Sequence, residues 1–208
     1  RSWLDFQWCQ TGHFGEHLPD RVASMWRDTP AKGVANGEPT YENMAHVGCA
    51  AGWWRGHEAW SNLCAGGTMG IVYGAASLWQ WRHQRDATGD ADWCICPGAD
   101  WQDALRFEGA RYVGNIRKIF HGLPITDMQP NTTWPHGRRG LAVDDSLFIA
   151  YLPRGGGLKI ITPHVPPRYR IYAPKTGDVL RQGDWSETDG RIKTPELCPA
   201  IVVCLRTS

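Results

Sequence analysis

Two carboxylates four residues apart, in the stretch NGEPTYE, are the first residues of this sequence whose types and spacing suggest chemistry. Glu38 lies between Gly37 and Pro39, and Glu42 follows Tyr41. Gly37 permits a sharp turn and Pro39 fixes the direction of the chain after it, so the Glu38 carboxylate is expected on a rigid corner. Enzymes that cleave glycosidic bonds with retention use a carboxylate nucleophile and a second carboxyl group about 5–5.5 Å away.

Glu38 is therefore a candidate nucleophile, and the alternative is a structural carboxylate that caps the next segment or pairs with an arginine. Glu42 does not complete the pair on this pattern, because four residues of irregular loop set no distance between the two groups. We expect Glu42 to orient Tyr41, Arg55 or a substrate hydroxyl group.

The elements around these residues alternate between strands and helices in the first half of the chain. Hydrophobic periodicity predicts strands over residues 3–9, 33–36 and 69–73 and helices over residues 17–27 and 48–64, with one or two more over residues 102–121. Arg55 and Glu58 are expected on the polar side of the helix over residues 48–64. This alternation is typical of βαβ units and predicts a parallel sheet.

Polar and aromatic side chains follow each of the three predicted strands. Chemistry in barrels of parallel strands sits at the carboxyl ends of the strands, so these side chains are expected to converge. His13 also has a structural interpretation as a hydrogen-bonded side chain, and Tyr73, Trp79 and Trp81 have one as aromatic packing. The candidates are Gln10 and His13 after the first strand, Glu38, Tyr41 and Glu42 after the second, and Tyr73, Trp79 and Trp81 after the third.

The pattern changes after residue 123, where short apolar runs are separated by turn-forming residues. The runs cover residues 141–143, 147–152, 158–162, 169–173, 179–180 and 200–205. Such spacing predicts a small antiparallel β-sandwich of about 80 residues. The expected organisation is an α/β domain over residues 1–123 and an all-β domain over residues 124–208.

Composition argues against several classes of function. With 22 basic and 21 acidic residues the net charge is +1, and no basic stripe points to a nucleic-acid partner. No apolar run approaches the ~18 residues that a membrane span needs. The seven cysteines form no zinc-binding spacing, and we interpret them mostly as buried thiols. The glycine-rich stretch at residues 66–70 precedes a strand instead of following one, so no nucleotide cofactor is expected. No metal is expected either, because the cysteines and histidines lack the spacing of a zinc site.

Three βα units are too few for a closed (β/α)8 barrel, which takes eight strands and ~250 residues. An open three-stranded parallel sheet would expose apolar edges and faces. We therefore expect the first half to be part of a larger barrel.

Several stretches, in their order and spacing, resemble the last part of the apiosidase-like catalytic barrel, a group that includes glycoside hydrolase family 140. They are QTGH, KGVANGEPTYE, GWWRGHEAWSNLCAGGTMGIVYGAASLWQW and, for the closing helices, DWQDALRFEGARYVGNIRKIF. The stretches LFIAYLPRGGGLKI and YRIYAPKTGDV resemble the β-sandwich that usually follows this barrel, often labelled a collagen-binding domain. The resemblance covers nearly the whole chain. It departs from the family around DWCICPGADW.

The resemblance implies that the three strands correspond to strands six, seven and eight of a TIM barrel. Glu38 would be the nucleophile on strand seven, and the acid/base carboxylate would lie on strand four, outside this sequence, so little activity is expected from this chain alone. The sugar subsite would be lined by Gln10, His13, Tyr41, Glu42, Tyr73 and Trp79. A carbohydrate substrate, no cofactor and a secreted or periplasmic location follow from the same resemblance.

Two other interpretations remain open from the sequence. Residues 124–208 could form a non-catalytic module that binds carbohydrate or a matrix protein, with the first half as its support. The chain could also be a small α/β protein unrelated to sugars, in which case the three polar strand ends would be coincidental.

Overall fold

Strands and helices alternate in the first half of the chain, as the hydrophobic pattern predicts. The computed structural model describes residues 3–11, 19–44, 52–79, 99–131, 140–160 and 167–206. The elements of the first half are β1 (Gln7–Gln10), α1 (Pro19–Trp26), β2 (Val34–Glu38), α2 (Trp53–Leu63), β3 (Gly70–Ile71), α3 (Ala76–Trp79), α4 (Trp101–Ala104) and α5 (Glu108–Phe120). The first predicted strand begins later than expected, at Gln7.

The three strands of this half form a parallel sheet in the order β1-β2-β3. Cys9 and Val34 on one face pack with Val22 of α1 and with Ala65, because these are the apolar positions that alternate along the strands. Trp8 points to the other face and is 55 % exposed. The sheet therefore has a helix-covered face and a face that the described residues leave open.

The second half is antiparallel throughout its described residues. Its strands are β4 (Gln129–Asn131), β5 (Gly140–Val143), β6 (Leu147–Leu152), β7 (Gly155–Lys159), β8 (Arg168–Ala173), β9 (Asp178–Asp184), β10 (Arg191–Glu196) and β11 (Ala200–Leu205). Six of them form one sheet in the order β4-β5-β6-β11-β8-β9, and β7 pairs with β10 in a separate ribbon. Leu158 and Ile192 of the ribbon pack against Phe148, Ile171 and Val202 of the large sheet.

The other face of the large sheet packs on the helices of the first half. Trp60 of α2 stacks on Phe120 of α5 and on Tyr151 of β6, with ring centroids 5.7 and 6.2 Å apart. Ile149 and Ile201 belong to the same buried cluster. Both faces of β6 are thus covered, which explains why all six of its residues are buried although its sheet is antiparallel. The two halves share one hydrophobic core across residue 123.

Two strands are not apparent in the sequence pattern, and one turn is shorter than its glycines suggest. Of the turn-forming residues Arg154 to Gly157, which separate two of the predicted runs, Arg154 lies in the turn, but Gly155 begins β7, where φ is +60° and a Cβ would lie 1.8 Å from the Pro195 carbonyl oxygen. Glycine is required there because the partner strand passes so closely. Strand β10 has a single strongly apolar inward residue, Ile192, and β4 contains Pro130, so neither resembles a strand in sequence.

Arg55 and Glu58 were expected on the solvent side of α2, and this prediction is wrong. Both side chains are fully buried, and Arg55 Nη1 donates to Glu58 Oε2. Burial is tolerated because each charge neutralises the other and the carboxylate also accepts hydrogen bonds from two threonines. His13, Trp81, Cys49, Cys94 and Cys96 lie outside the described residues. Of the other cysteines, Cys9, Cys64 and Cys204 are buried as expected, whereas Cys198 is exposed.

Candidate active site

Gln10 and Glu38 lie side by side at the carboxyl ends of β1 and β2. They are partners in the parallel register, just after a bulge-like irregularity at which the pairing skips Gly37 of β2. A bulge changes the direction in which the following side chains point. Gln10 is exposed and Glu38 is half-buried, so both side chains are within reach of a molecule bound at this edge of the sheet.

Glycine at position 37 is explained by the indole ring of Trp8. A Cβ built on Gly37 would lie 1.5 Å from Cε2 of Trp8, so the ring lies directly against the backbone of β2. No other residue leaves room for this contact. The turn that carries Glu38 is therefore fixed by the Trp8 ring, which packs on Gly37, and by Pro39, which follows Glu38 in the chain.

Tyr41 is held against the backbone of the segment that follows β3. A Cβ on Gly74 would lie 2.4 Å from Cδ1 of Tyr41, and the ring of Trp79 lies 6.2 Å away at an interplanar angle of 42°. The Tyr41 hydroxyl group donates a long hydrogen bond of 3.4 Å to Glu38 Oε1. Burial and the neighbouring Glu38 carboxylate raise the pKa of Tyr41, so the phenol stays protonated and able to donate.

Glu42 is buried, with 2 % of its surface exposed. Its Oε1 accepts the Gly52 backbone N–H at 2.8 Å, and its Oε2 accepts the Gly109 backbone N–H at 3.0 Å. The Tyr73 hydroxyl group donates to the same Oε2 at 2.6 Å. Gly52 precedes α2 and Gly109 lies in the first turn of α5, so one carboxylate accepts from the amino-terminal ends of two helices.

Glu58 holds the chain on the side of Tyr41 that is opposite to Glu42. Its Oε1 accepts the Thr11 hydroxyl group at 3.2 Å and both the backbone N–H and the hydroxyl group of Thr40, at 3.2 and 3.3 Å. Its second oxygen accepts a hydrogen bond from Arg55. Burial lowers the pKa of Arg55, and the Glu58 carboxylate acts in the opposite direction. The segment that carries Tyr41 is thus tied down on each side, at Thr40 and at Glu42.

Tyr73 joins these two carboxylates through Arg55. The guanidinium carbon of Arg55 lies 5.9 Å from the centroid of the Tyr73 ring, in cation–π geometry. Burial and the hydrogen bond to Glu42 raise the pKa of Tyr73 far above its ordinary value. Tyr73 is therefore a neutral hydrogen-bond donor whose hydroxyl group is directed at Glu42.

The structure places four of the six described candidates at the strand ends and the other two directly behind them. Glu38, Gln10, Tyr41 and Trp79 adjoin one another at the strand ends, and Tyr73 contacts Glu42 just behind them; His13 is outside the described residues. Trp79 is 55 % exposed within the part of the chain that the structure describes. Sequence reasoning missed Trp8, Thr40 and the buried roles of Arg55 and Glu58. Two opposite charges three residues apart in a helix rich in Trp and Ala were the available signal.

A separate cleft lies at the opposite end of the sheet. It measures about 820 Å³ and is lined by residues around the amino-terminal ends of β1 and β2, including Trp3, Phe6, Met25 and Lys32. Ligands of parallel α/β sheets bind outside the carboxyl ends of the strands, so the cleft is a poor candidate. Among the described residues, no group of three His, Cys, Asp or Glu side chains is placed to hold a metal ion. None of the helices described is long and apolar enough to cross a membrane.

Solved structures with a fold similar to that of this chain include two proteins described as glycoside hydrolases. A protein described as a glycoside hydrolase superposes with a TM-score of 0.74 and 18 % identity, covering 99 % of this chain and 53 % of its own. A glycoside hydrolase family 5 protein from Bacteroides vulgatus ATCC 8482 superposes with a TM-score of 0.77 and 18 % identity, covering 99 % of this chain and 52 % of its own. The chain thus spans about half the length of these structures, and at this identity the likeness shows the fold alone.

The sequence itself also places the chain in a family. No curated protein matches it. The family model of the apiosidase-like catalytic domain matches residues 1–127, which include every residue of the candidate site. This protein therefore belongs to the apiosidase-like family, whose catalytic-domain model covers more than half of its chain.

Proposed function

We propose that this chain carries the nucleophile side of the active site of a retaining glycoside hydrolase that removes sugars from polysaccharide or oligosaccharide side chains. The observation that carries the proposal is the position of Glu38 at the carboxyl end of β2, beside Gln10 and within hydrogen-bond distance of Tyr41. A half-buried carboxylate with a neutral donor and an exposed tryptophan beside it is suited to attack a sugar that stacks on that tryptophan.

In the proposed reaction, Glu38 attacks the anomeric carbon of the bound sugar. A bond forms between a Glu38 oxygen and that carbon while the bond to the leaving oxygen breaks, and an acid/base carboxyl group gives its proton to the leaving group. The same group then takes a proton from water, which attacks the anomeric carbon and releases Glu38. We assign sugar contacts to Gln10, Tyr41 and the ring of Trp79, and also to His13 by resemblance.

The three parallel strands are, in this proposal, strands six to eight of a (β/α)8 barrel. The solved structures that the chain resembles are about twice as long, and β1 and β3 each have one neighbour among the described strands. Trp3, Trp8 and Met69 are 75, 55 and 52 % exposed, which is unusual for such large apolar side chains. A completed barrel would cover them and supply the acid/base, so we expect little hydrolysis from this chain alone.

The second half is proposed to be a small β-sandwich accessory domain that mainly stabilises the first half. Its large sheet packs on the β7–β10 ribbon on one face and on α2 and α5 on the other. An enzyme that acts on polysaccharides meets its substrate outside the cytoplasm, so we also propose a secreted or periplasmic location.

A substitution at Glu38 tests the catalytic proposal in a protein that contains the completed barrel. Glu38→Gln keeps the shape of the side chain and removes the nucleophile, so kcat should fall by several orders of magnitude with the fold intact. Glu108→Gln is the matched control, since that side chain is 60 % exposed and pairs with Arg111 on the surface of α5. Near-normal hydrolysis by the Glu38→Gln protein would overturn the assignment.

A non-catalytic binding role for residues 124–208 is the second candidate function. It is favoured by the edge strand β9, where Val179 and Leu180 are 48 and 50 % exposed. A glycan array and a collagen pull-down with the whole chain would test it. Binding that is lost in a Val179→Ser, Leu180→Ser variant but kept in Glu38→Gln would support the binding module. If the unmodified chain binds neither glycans nor collagen, the second half would have only the packing role.

A further inference from the structure

We propose that Glu42 is a positioning residue that locks two strand-end segments to two helix ends, and that it does not touch the sugar. The inference rests on the proposed function, in which Glu38 is the nucleophile, and it assigns Glu42 a role in placing Tyr41 and Trp79 around that nucleophile. The first support is saturation of the carboxylate. Both oxygens accept hydrogen bonds from inside the protein, and 2 % of the residue is exposed.

The second support is the absence of space around this carboxylate. A Cβ on Gly109 would lie 2.2 Å from Glu42 Oε2 and 2.7 Å from Arg55 Cγ. Gly52, the other backbone donor, has a φ of +56°, which favours glycine. Both donors are thus glycines that allow the backbone of a helix end to approach the carboxylate. A sugar hydroxyl group has no route to an oxygen that is packed in this way.

The third support is that Glu42 joins the two segments that carry the candidate sugar contacts. Its backbone N–H donates to the Gly74 carbonyl oxygen, and its own carbonyl oxygen accepts the Ala76 N–H, each at 2.9 Å. Gly74 is the residue against which the Tyr41 ring packs, and Ala76 begins α3, which ends at Trp79. The side chain of Glu42 then fixes this pair of segments to α2 and α5.

A shift of Glu42 would therefore reach Glu38 through Tyr41. Tyr41 immediately precedes Glu42 in the chain, and its hydroxyl group is already at the long distance of 3.4 Å from Glu38 Oε1. A small displacement at position 42 breaks so long a bond. Glu42 acts on the nucleophile through Tyr41, because its own carboxylate is directed at Gly52, Gly109 and Tyr73.

The test is NMR of the chain with ¹³Cζ-labelled tyrosine, in which six tyrosine signals are expected. At a pH of about 10, the usual midpoint of tyrosine ionisation, Tyr41 should be mostly protonated. Glu38→Gln should increase its ionised fraction, which calibrates the contact. Glu42→Gln should also increase it, because the Gln amide meets the Gly109 and Tyr73 donors and displaces the segment. Glu108→Gln, at the same end of α5, should leave the Tyr41 signal unchanged and alter only that of Tyr112, whose hydroxyl group donates to Glu108 Oε2 at 2.9 Å.

Two results would overturn the proposal. An unchanged Tyr41 signal in folded Glu42→Gln would show that Glu42 does not position Tyr41. An equal rise in the ionised fraction of Tyr151, which lies on β6 beyond α2, would show general loosening and a merely structural role. If Glu42→Gln does not fold, Tyr73→Phe decides by the same two criteria, since it removes only the 2.6 Å donor.

The result is independent of the proposed function, because the NMR measurement needs no hydrolysis. Failure of that function would appear as activity retained in Glu38→Gln, with the response of Tyr41 to Glu42→Gln unaffected. Failure of the positioning role would appear in the Tyr41 signal alone.

Discussion

The hydroxyl group of Tyr151 on β6 lies 2.8 Å from Nδ1 of His57 on α2, and this hydrogen bond joins the two halves of the chain. The contact lies in the shared core, where Tyr151 also stacks on Trp60. On its opposite side α2 carries the Arg55 and Glu58 pair that holds Thr40. The second half thus supports the helix that anchors the candidate site.

Tyr151→Phe should lower the free energy of unfolding of the whole chain by about 1–2 kcal/mol, because it removes the hydrogen bond and leaves a half-buried ring nitrogen without this partner. Urea denaturation of both proteins measures the difference. Tyr169→Phe is the matched control on β8, away from the interface, and should cost less than about 0.5 kcal/mol. Equal effects of the two substitutions would argue against a specific contribution from the His57 contact.

Stability should also depend on the protonation of His57. Burial lowers the pKa of His57 below its ordinary value, so the folded state favours the neutral ring and binds fewer protons than the unfolded state. Stability is therefore complete above the unfolded value of about 6.5 and falls as the pH drops through that value towards the folded one. The rings of Trp54 and Tyr151 face His57 at 6.0 and 5.7 Å.

The pH dependence is measured as the urea midpoint between about pH 7.5 and 5. His57→Asn should flatten the loss of stability in this range, since Asn does not titrate. A slope that is identical in the two proteins would assign the effect to other groups.

Two glycines of α5 should respond in opposite ways to alanine. Gly109→Ala places a Cβ 2.2 Å from Glu42 Oε2, so it should destabilise the chain by about 1–3 kcal/mol. A Cβ on Gly114 meets nothing within 4 Å, and alanine there should stabilise the helix by about 0.5–1 kcal/mol. Thermal or urea unfolding compares the two variants. A Gly109→Ala variant that is as stable as the Gly114→Ala variant would contradict the close packing of Glu42 described above.

Two ion pairs with the same three-residue spacing should differ in their contribution. Glu58→Gln leaves the buried Arg55 without its counter-charge and should cost about 3–5 kcal/mol. Glu108→Gln removes the exposed pair with Arg111 and should cost less than about 0.5 kcal/mol. A similarly small effect at both sites, measured by urea unfolding, would mean that water or another group compensates the charge of Arg55.

The convergence of the candidate residues could be predicted because it depends on local patterns. Apolar runs indicate where β1, β2 and β3 lie, and parallel strands place their ends at one edge of the sheet. Gln10, Glu38 and Tyr41 adjoin one another for this reason. The second half is antiparallel, as its short runs and turns predict.

The roles of Glu42 and Glu58 could not be predicted in the same way. Glu42 accepts from Gly109, which is 67 residues away in the sequence, and no local signal connects a carboxylate to a distant helix end. Periodicity places charges on a polar face, so it misassigned Arg55 and Glu58, whose burial depends on mutual pairing. The shared core is likewise a property of how α2 and α5 meet β6 and β11.

The most direct test of the central claim is to identify the residue that a mechanism-based inhibitor labels. An activated 2-deoxy-2-fluoro glycoside traps the covalent intermediate of a retaining enzyme, and peptide mass spectrometry locates the bound sugar. With a protein that contains the completed barrel, we predict that the label is found on Glu38 and that Glu38→Gln takes none. Label on another carboxylate, or hydrolysis at a near-normal rate by Glu38→Gln, would contradict the assignment of Glu38 as the nucleophile.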